Sequence, residues 1–278
     1  MKKIVPLILF CLVTQVISAQ DTNDHAKPFV LGTVEELSSK ELSEKRILNI
    51  YLPEGYNQND STHYPVIYLL DGSADEDFIH IAGLVQFANF SWVNILPKSI
   101  VVGIANVDRK RDFTFPTTVE ADKKDFPTTG SSAKFISFIE KELQPFIDRK
   151  YKTNPDKMLI GESLGGLLAT EILFKKPQLF NRYIIVSPSL WWDKESLLSI
   201  QPKALSADTA KRTDVYIAVG KEGDIMENDA KQLNSILNKN NKNNLLVNFQ
   251  YFEKENHATI MHLAVYNAFE SFTEMKKK

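Results

Sequence analysis

LIGESLGG, residues 159–166, is the stretch on which the fold reading turns. An apolar run, KMLIG (157–161), leads into it, and a helical segment, LGGLLATEILFKKP (164–177), leads out. Ser163 therefore stands on a strand-to-helix turn with Gly161 and Gly165 two residues to either side, the setting of a nucleophile elbow. On so tight a turn the residues two before and two after the serine crowd each other, and glycine has no side chain to clash. The hydroxyl is lifted clear of the sheet, and the amide of Leu164 falls at a helix N-terminus, where an oxyanion can be held. By itself, G-x-S-x-G arises by chance in about one chain in ten of this length at ordinary Gly and Ser usage. The flanking strand and helix separate a catalytic serine from a capping serine on a glycine-rich turn.

Outward from the turn, the same pattern repeats. PVIYLLDG (65–72), SIVVGIAN (99–106), RYIIVSP (182–188) and DVYIAVG (214–220) are continuous apolar runs suited to strands buried on both faces, and LLVNFQYFE (245–253) reads as the last strand. Residues 29–52 alternate loosely and are read as two antiparallel strands closed by Pro53 and the turn GYNQND. Helical segments lie between: residues 132–151, with Phe135, Ile136, Phe138, Ile139, Leu143, Phe146 and Ile147 near a 3.6-residue period, then 164–177, 228–240 and 262–275. Strands alternating with helices predict an α/β fold, a mostly parallel sheet covered by helices on both faces. Residues 108–130 show no periodicity and are read as a long polar loop, the kind that is often functional.

A serine hydroxyl needs a base. In this class of fold the chain order is serine, acid, histidine, and after Ser163 two histidines remain, His257 and His262. His257 lies in the loop after the last strand and is the candidate base; His262 falls in the following helix. The acid is sought in the loop KEGDIMEND after DVYIAVG, where Asp224 is preferred and Glu222 is the alternative. Glu227 and Asp229 are read as a helix start, where carboxylates suit the dipole. The second oxyanion donor is expected in DGSADED, as the amide of Ser73, with Asp71 holding loop amides. Arg109 and Arg111 follow a strand at the ligand-binding end of the sheet, and Trp191 and Trp192 follow SPSL there. All four are candidate substrate-binding residues.

Composition limits the partners. MKK, an apolar stretch and SAQ read as a secretory signal peptide over residues 1–19, with residues 20–278 as a single catalytic domain. Cys11, the single cysteine, lies in that leader, so the exported chain has no thiol for catalysis, metal binding or disulfides. Loss of Lys2 and Lys3 leaves 31 Lys and Arg against 35 Asp and Glu, net −4, with no basic cluster, which argues against nucleic acid. No second long apolar run predicts a membrane span, and no metal or organic cofactor is implied: the two histidines of HATIMH are five apart, a spacing that straddles helix faces poorly.

Taken together, YPVIYLLDG, VVGIANVDRKRDFTF, GESLGGLLATEILFKKPQLF, SPSLWW, VGKEGD and NHATIMHLAVYNAF resemble, in order, the putative esterase family of α/β-hydrolases. That is the esterase D group, with enterochelin-type siderophore esterases, feruloyl and acetyl esterases, S-formylglutathione hydrolase and antigen 85 acyltransferases. The resemblance implies an α/β-hydrolase fold, Ser163 as nucleophile, His257 as base and the amides of Leu164 and Ser73 as oxyanion hole. It leaves the choice between Asp224 and Glu222 open. SPSLWWD and the exported layout look most like the siderophore-esterase branch. The expected function is an exported serine esterase, periplasmic or secreted, acting on a small-molecule ester such as a siderophore or a feruloyl or acetyl-sugar ester. An acyltransferase of the same fold, or an inactive ligand-binding module, is the alternative.

Overall fold

The computed structural model describes residues 26–202, 212–239 and 245–276; the leader expected over 1–19 lies outside them. Residues 26–30 have no regular secondary structure, and a compact unit begins at Leu31. Among the described residues, eight strands form one sheet: β1 (Thr33–Ser39), β2 (Glu44–Tyr51), β3 (Tyr64–Leu69), β4 (Ile100–Ile104), β5 (Thr153–Glu162), β6 (Arg182–Val186), β7 (Thr213–Gly220) and β8 (Leu245–Phe252). Their spatial order is β1-β2-β4-β3-β5-β6-β7-β8. β1 and β2 form an antiparallel pair, and β2 runs antiparallel to β4, with Leu48 opposite Ile104. From β4 across to β8 every pairing is parallel. The continuous apolar runs are the buried central strands: every residue of β4 and β6 is buried.

Strand alternation sends side chains to two cores. Val66, Tyr68, Leu159, Tyr183, Ile185, Val215 and Ile217 pack on one face against α4 (Ser132–Phe138), α5 (Gln144–Lys150), α6 (Leu164–Lys175) and α7 (Asp224–Lys239). Ile67, Leu69, Met158, Ile160, Ile184, Val186, Tyr216 and Ala218 pack on the other against α1 (Phe78–Ala88) and α8 (Ile260–Lys276). Each fully buried Leu, Ile or Phe contributes about 1.5–3 kcal/mol, which fixes the register of every central strand.

Three departures from the sequence reading have local causes. Residues 108–130 are not structureless: they hold α2 (Arg109–Phe113) and α3 (Glu120–Asp125), both too short to show a period. Asp108 caps α2 by accepting from the Arg111 amide at 3.0 Å. The segment read as one helix over 132–151 widens to a π turn at Ile139–Leu143, just ahead of Pro145, which has no N–H for the carbonyl four residues back. Helix α1 has no counterpart in the sequence reading, because FIHIAGLVQFA is apolar on almost every side.

The loops that carry the polar cluster sit together. Asp71, Asn106, Ser163, Ser187, Glu222 and His257 all lie just beyond the C-terminal ends of parallel strands, at one end of the sheet.

Candidate active site

Ser163 separates β5 from α6 with φ 57° and ψ −117°, a conformation that costs a non-glycine residue roughly 1–3 kcal/mol. The turn is held from both sides: the Ser163 amide donates to the Val186 carbonyl at 3.1 Å, and the Ser163 carbonyl accepts from the amides of Leu167 and Ser189, each at 3.0 Å. A Cβ on Gly161 would lie 2.5 Å from the Gly165 carbonyl oxygen, so the crowding expected across the turn is backbone against backbone. The Leu164 amide opens α6, among the N–H groups that a helix leaves without an internal partner. The Ser163 hydroxyl shares a 3.2 Å hydrogen bond with Ser189 Oγ.

His257 reaches the same place from the loop after β8. Its Nδ1 is 2.6 Å from Glu222 Oε2. The other oxygen of Glu222 accepts from Ser187 Oγ and from the Gly220 amide at 2.9 Å. Burial resists ionisation of Glu222, but the bonds from His257, Ser187 and Gly220 outweigh it and hold the carboxyl below its usual range. The bond to Glu222 in turn raises His257 above the usual imidazole value, against the opposing effect of its burial.

Ser163 and His257 both line a cavity of about 310 Å³ together with Asp71, Glu76, Asp77, Arg109 and Glu162. Arg109 grips Asp71 through two bonds, Nε to Oδ1 at 2.6 Å and an amino group to Oδ2 at 2.9 Å, and reaches the Glu162 carbonyl at 3.2 Å. Burial pushes the Glu162 carboxyl up to about 7, and the charges of Asp77, Glu222 and Asp71 add to the effect against the pull of His257.

The carboxylate expected at Asp224 is corrected to Glu222. Asp224 is exposed at the start of α7, where it suits the helix dipole, while Glu222, two residues nearer the end of β7, turns inward to His257. Arg111 is not at the cavity: it bonds Glu44 and Asp112 in a cluster with the buried Arg46. Trp192 is fully buried, its indole N–H donating to the Phe115 carbonyl at 2.9 Å, and Trp191 packs half-buried against Phe126 and Trp192. Neither tryptophan lines the cavity of Ser163. His262 stacks on His80, with a 2.8 Å bond between the rings, and does not line the cavity of Ser163. The Ser73 amide faces Glu76 Oε2 at 3.4 Å.

The sequence profile of a family described as "Putative esterase" matches residues 39–270. The chain belongs to this esterase family. Over 202 residues it is 31% identical to the ferri-bacillibactin esterase BesA of Bacillus subtilis (strain 168), an alignment that spans 68% of this chain and 65% of BesA. Among solved structures, an IroE-like serine hydrolase from Shewanella oneidensis is 31% identical with a TM-score of 0.80, covering 87% of this chain and 80% of that one. The BES protein of Bacillus cereus is 28% identical with a TM-score of 0.79, covering 88% and 97%. The fold is accordingly the α/β-hydrolase fold.

Around this site, several residues escaped the sequence reading. Glu162 is the unspecified position inside G-x-S-x-G, and Glu76 and Asp77 lie in the acidic run of DGSADED. Their one advance signal is position: Glu162 closes β5 immediately before Ser163, and Glu76 and Asp77 follow the C-terminal end of the parallel strand β3. Ser187 and Ser189 are the two serines of SPSLWW; the pair of tryptophans drew the functional reading to the wrong end of that segment.

Proposed function

We propose that this member of the esterase family is an exported serine esterase that hydrolyses a small-molecule carboxylic ester through an acyl-enzyme. Ser163 Oγ attacks the ester carbonyl as His257 Nε2 takes its proton; Glu222, bonded to Nδ1, fixes the tautomer and stabilises the imidazolium. The amides of Leu164 and Ser73 receive the negative charge of the tetrahedral intermediate, the Ser73 N–H exchanging its long contact with Glu76 Oε2 for the oxyanion. His257 then returns the proton to the leaving alkoxide. In the second half His257 draws a proton from water, which attacks the acyl-enzyme and frees Ser163. The hydroxyl must turn from Ser189 toward His257 to begin, an adjustment common when no substrate is bound.

One observation carries the reading: a serine on a strained elbow shares a cavity with a histidine whose far nitrogen is bonded to a buried carboxylate. The relative from Bacillus subtilis is a ferri-bacillibactin esterase, which supports an ester-linked siderophore as the substrate class ahead of feruloyl or acetyl-sugar esters. Export rests on the basic start, apolar stretch and small residues of the first 19 positions. It is tested by whether the protein recovered from its own cells begins near Gln20. The activity is tested with p-nitrophenyl acetate. The wild-type chain is expected to release nitrophenolate and Ser163→Ala to fall to background; equal rates from the two proteins would remove Ser163 from the chemistry.

A further inference from the structure

β6 stands between the two strands that lead into the candidate chemistry: β5, which ends at the Ser163 elbow, and β7, which runs into the Glu222 loop. The residues that follow β6, Ser187, Pro188 and Ser189, are tied to both neighbours. On one side the Ser189 amide donates to the Ser163 carbonyl at 3.0 Å, and on the other the Ser187 amide donates to the Ala218 carbonyl at 2.8 Å. Helix α6 presses on the same segment, where a Cβ on Gly166 would lie 2.9 Å from Pro188 Cα. The backbone here has little freedom to shift.

Ser187 is wholly buried and has φ 41°, a left-handed conformation that suits glycine and strains a residue with a side chain. Its amide would make the same bond in glycine. What glycine could not supply is the hydroxyl, and Oγ donates to Glu222 Oε1. The Gly220 amide reaches the same oxygen at 2.9 Å, leaving Oε2 to face His257 Nδ1 at 2.6 Å. Two donors on Oε1 oppose rotation of the carboxylate about its last bond. With one of them gone, rotation costs less and the aim of Oε2 at His257 loosens.

We propose that Ser187 is a positioning residue, whose hydroxyl fixes the orientation of the Glu222 carboxylate and, through it, that of the His257 ring. The inference rests on the esterase reading of Ser163 and His257, and adds to it a side chain that touches neither the substrate nor the reacting atoms. Ser187 gives up no proton; its hydroxyl stays a donor to Glu222 in every step. Its contribution is largest while His257 carries the proton taken from Ser163, because the imidazolium then depends on a well-aimed carboxylate.

Ser187→Ala and Ser187→Gly test it, since both remove the hydroxyl and only glycine relieves the left-handed backbone. On p-nitrophenyl acetate, kcat/KM should fall by about tenfold in both, the worth of one hydrogen bond to a charged group whose second donor remains. The fall should be the same whatever the urea midpoints of the two proteins, and glycine guards against an alanine variant that folds badly. A loss that tracks the midpoint, or wild-type rates in both, overturns the proposal. The second readout is the low-field proton resonance of His257 Nδ1, assigned by its loss in His257→Ala. It should move upfield or vanish in both Ser187 variants. Its absence from the wild-type spectrum, or its presence unchanged in both variants, also overturns the proposal. If the wild-type chain is no more active than Ser163→Ala, the esterase reading fails, and the resonance, which needs no turnover, decides the role of Ser187 alone.

Discussion

Replacing Glu222 with glutamine removes one charge with almost no change of shape. The native carboxylate receives three donors: Ser187 Oγ and the Gly220 amide on one oxygen, and His257 Nδ1 on the other. A glutamine has one oxygen and presents an NH2 in place of the second. If the oxygen faces Ser187 and Gly220, the NH2 faces Nδ1, and His257 must carry its proton on Nε2, where it cannot take one from Ser163. If the oxygen faces His257, the NH2 meets the Gly220 N–H donor to donor. Either arrangement forfeits a hydrogen bond to a charged group, about 1.5–3 kcal/mol, and the first adds the wrong tautomer. The expected fall in kcat/KM is about 10²- to 10⁴-fold. The pH profile moves as well. His257 must be neutral to act as base, and the bond to Glu222 is the largest influence raising its pKa. Without that carboxylate the pKa falls, so the acid limb of the residual activity shifts to lower pH. The assay is kcat/KM on p-nitrophenyl acetate from about pH 5 to 9, with Asp224→Asn beside it. Asp224 is exposed on α7, and its loss should change the rate by less than about threefold, the scale of a helix-end charge. A Glu222→Gln protein of near-normal rate, paired with a crippled Asp224→Asn, would refute the assignment.

Stability measurements probe the scaffold around the site. Gly161→Ala places a Cβ 2.5 Å from the Gly165 carbonyl oxygen, and since backbone on both sides cannot yield cheaply, urea unfolding should show a loss of about 1–3 kcal/mol or more. Arg46→Ala strips a partner from Asp112, with both side chains almost wholly buried. Arg111 still holds Asp112, so the cost should fall near the lower end of the 3–5 kcal/mol typical of a broken buried pair, about 3 kcal/mol. Glu162→Gln should stabilise the chain in a pH-dependent way. The folded pKa of Glu162 is raised to about 7 from the usual 4.5, so the fold favours the protonated acid. That contribution is complete below the unfolded pKa and is lost as pH rises through about 7. Melting curves should therefore show the variant gaining on the wild type at about pH 8.5 and matching it near pH 4, and an equal difference at both would contradict the assigned cause.

Much of this site could be read from the sequence because the signals were local. The Gly161–Ser163–Gly165 spacing encodes a backbone collision, and a collision across one turn needs no tertiary information. The central strands were legible for a related reason: burial on both faces demands continuous apolar runs such as SIVVGIAN. His257 followed from its place after the last strand. What failed depended on direction. Glu222 and Asp224 sit two residues apart on one loop, and the side chain that turns inward is settled by Ser187, some 35 residues earlier, whose hydroxyl bonds the same carboxylate. Arg109 and Arg111 are likewise two apart. On the short helix α2 they point different ways, one to Asp71 at the cavity and the other to Glu44 on β2. Trp191 and Trp192 look like a pocket wall in the sequence, yet the chain turns there through left-handed conformations at Asp193, Lys194 and Glu195, and Trp192 is fully buried while Trp191 packs half-buried against it and Phe126. Helix α1 went unread because a helix pressed between a sheet and α8 is apolar nearly all round and shows no stripe.

The central claim is that Ser163 is a nucleophile activated by its surroundings. A fluorophosphonate tests it directly: the attacking oxygen bonds to phosphorus, fluoride departs, and the adduct cannot be hydrolysed at an ordinary rate. The wild-type protein should gain the mass of one phosphonyl group, with the modified peptide carrying it on Ser163, and Ser163→Ala should remain unlabelled. Labelling at another residue, or no labelling of the wild-type chain under conditions that modify a known serine esterase, would contradict the account.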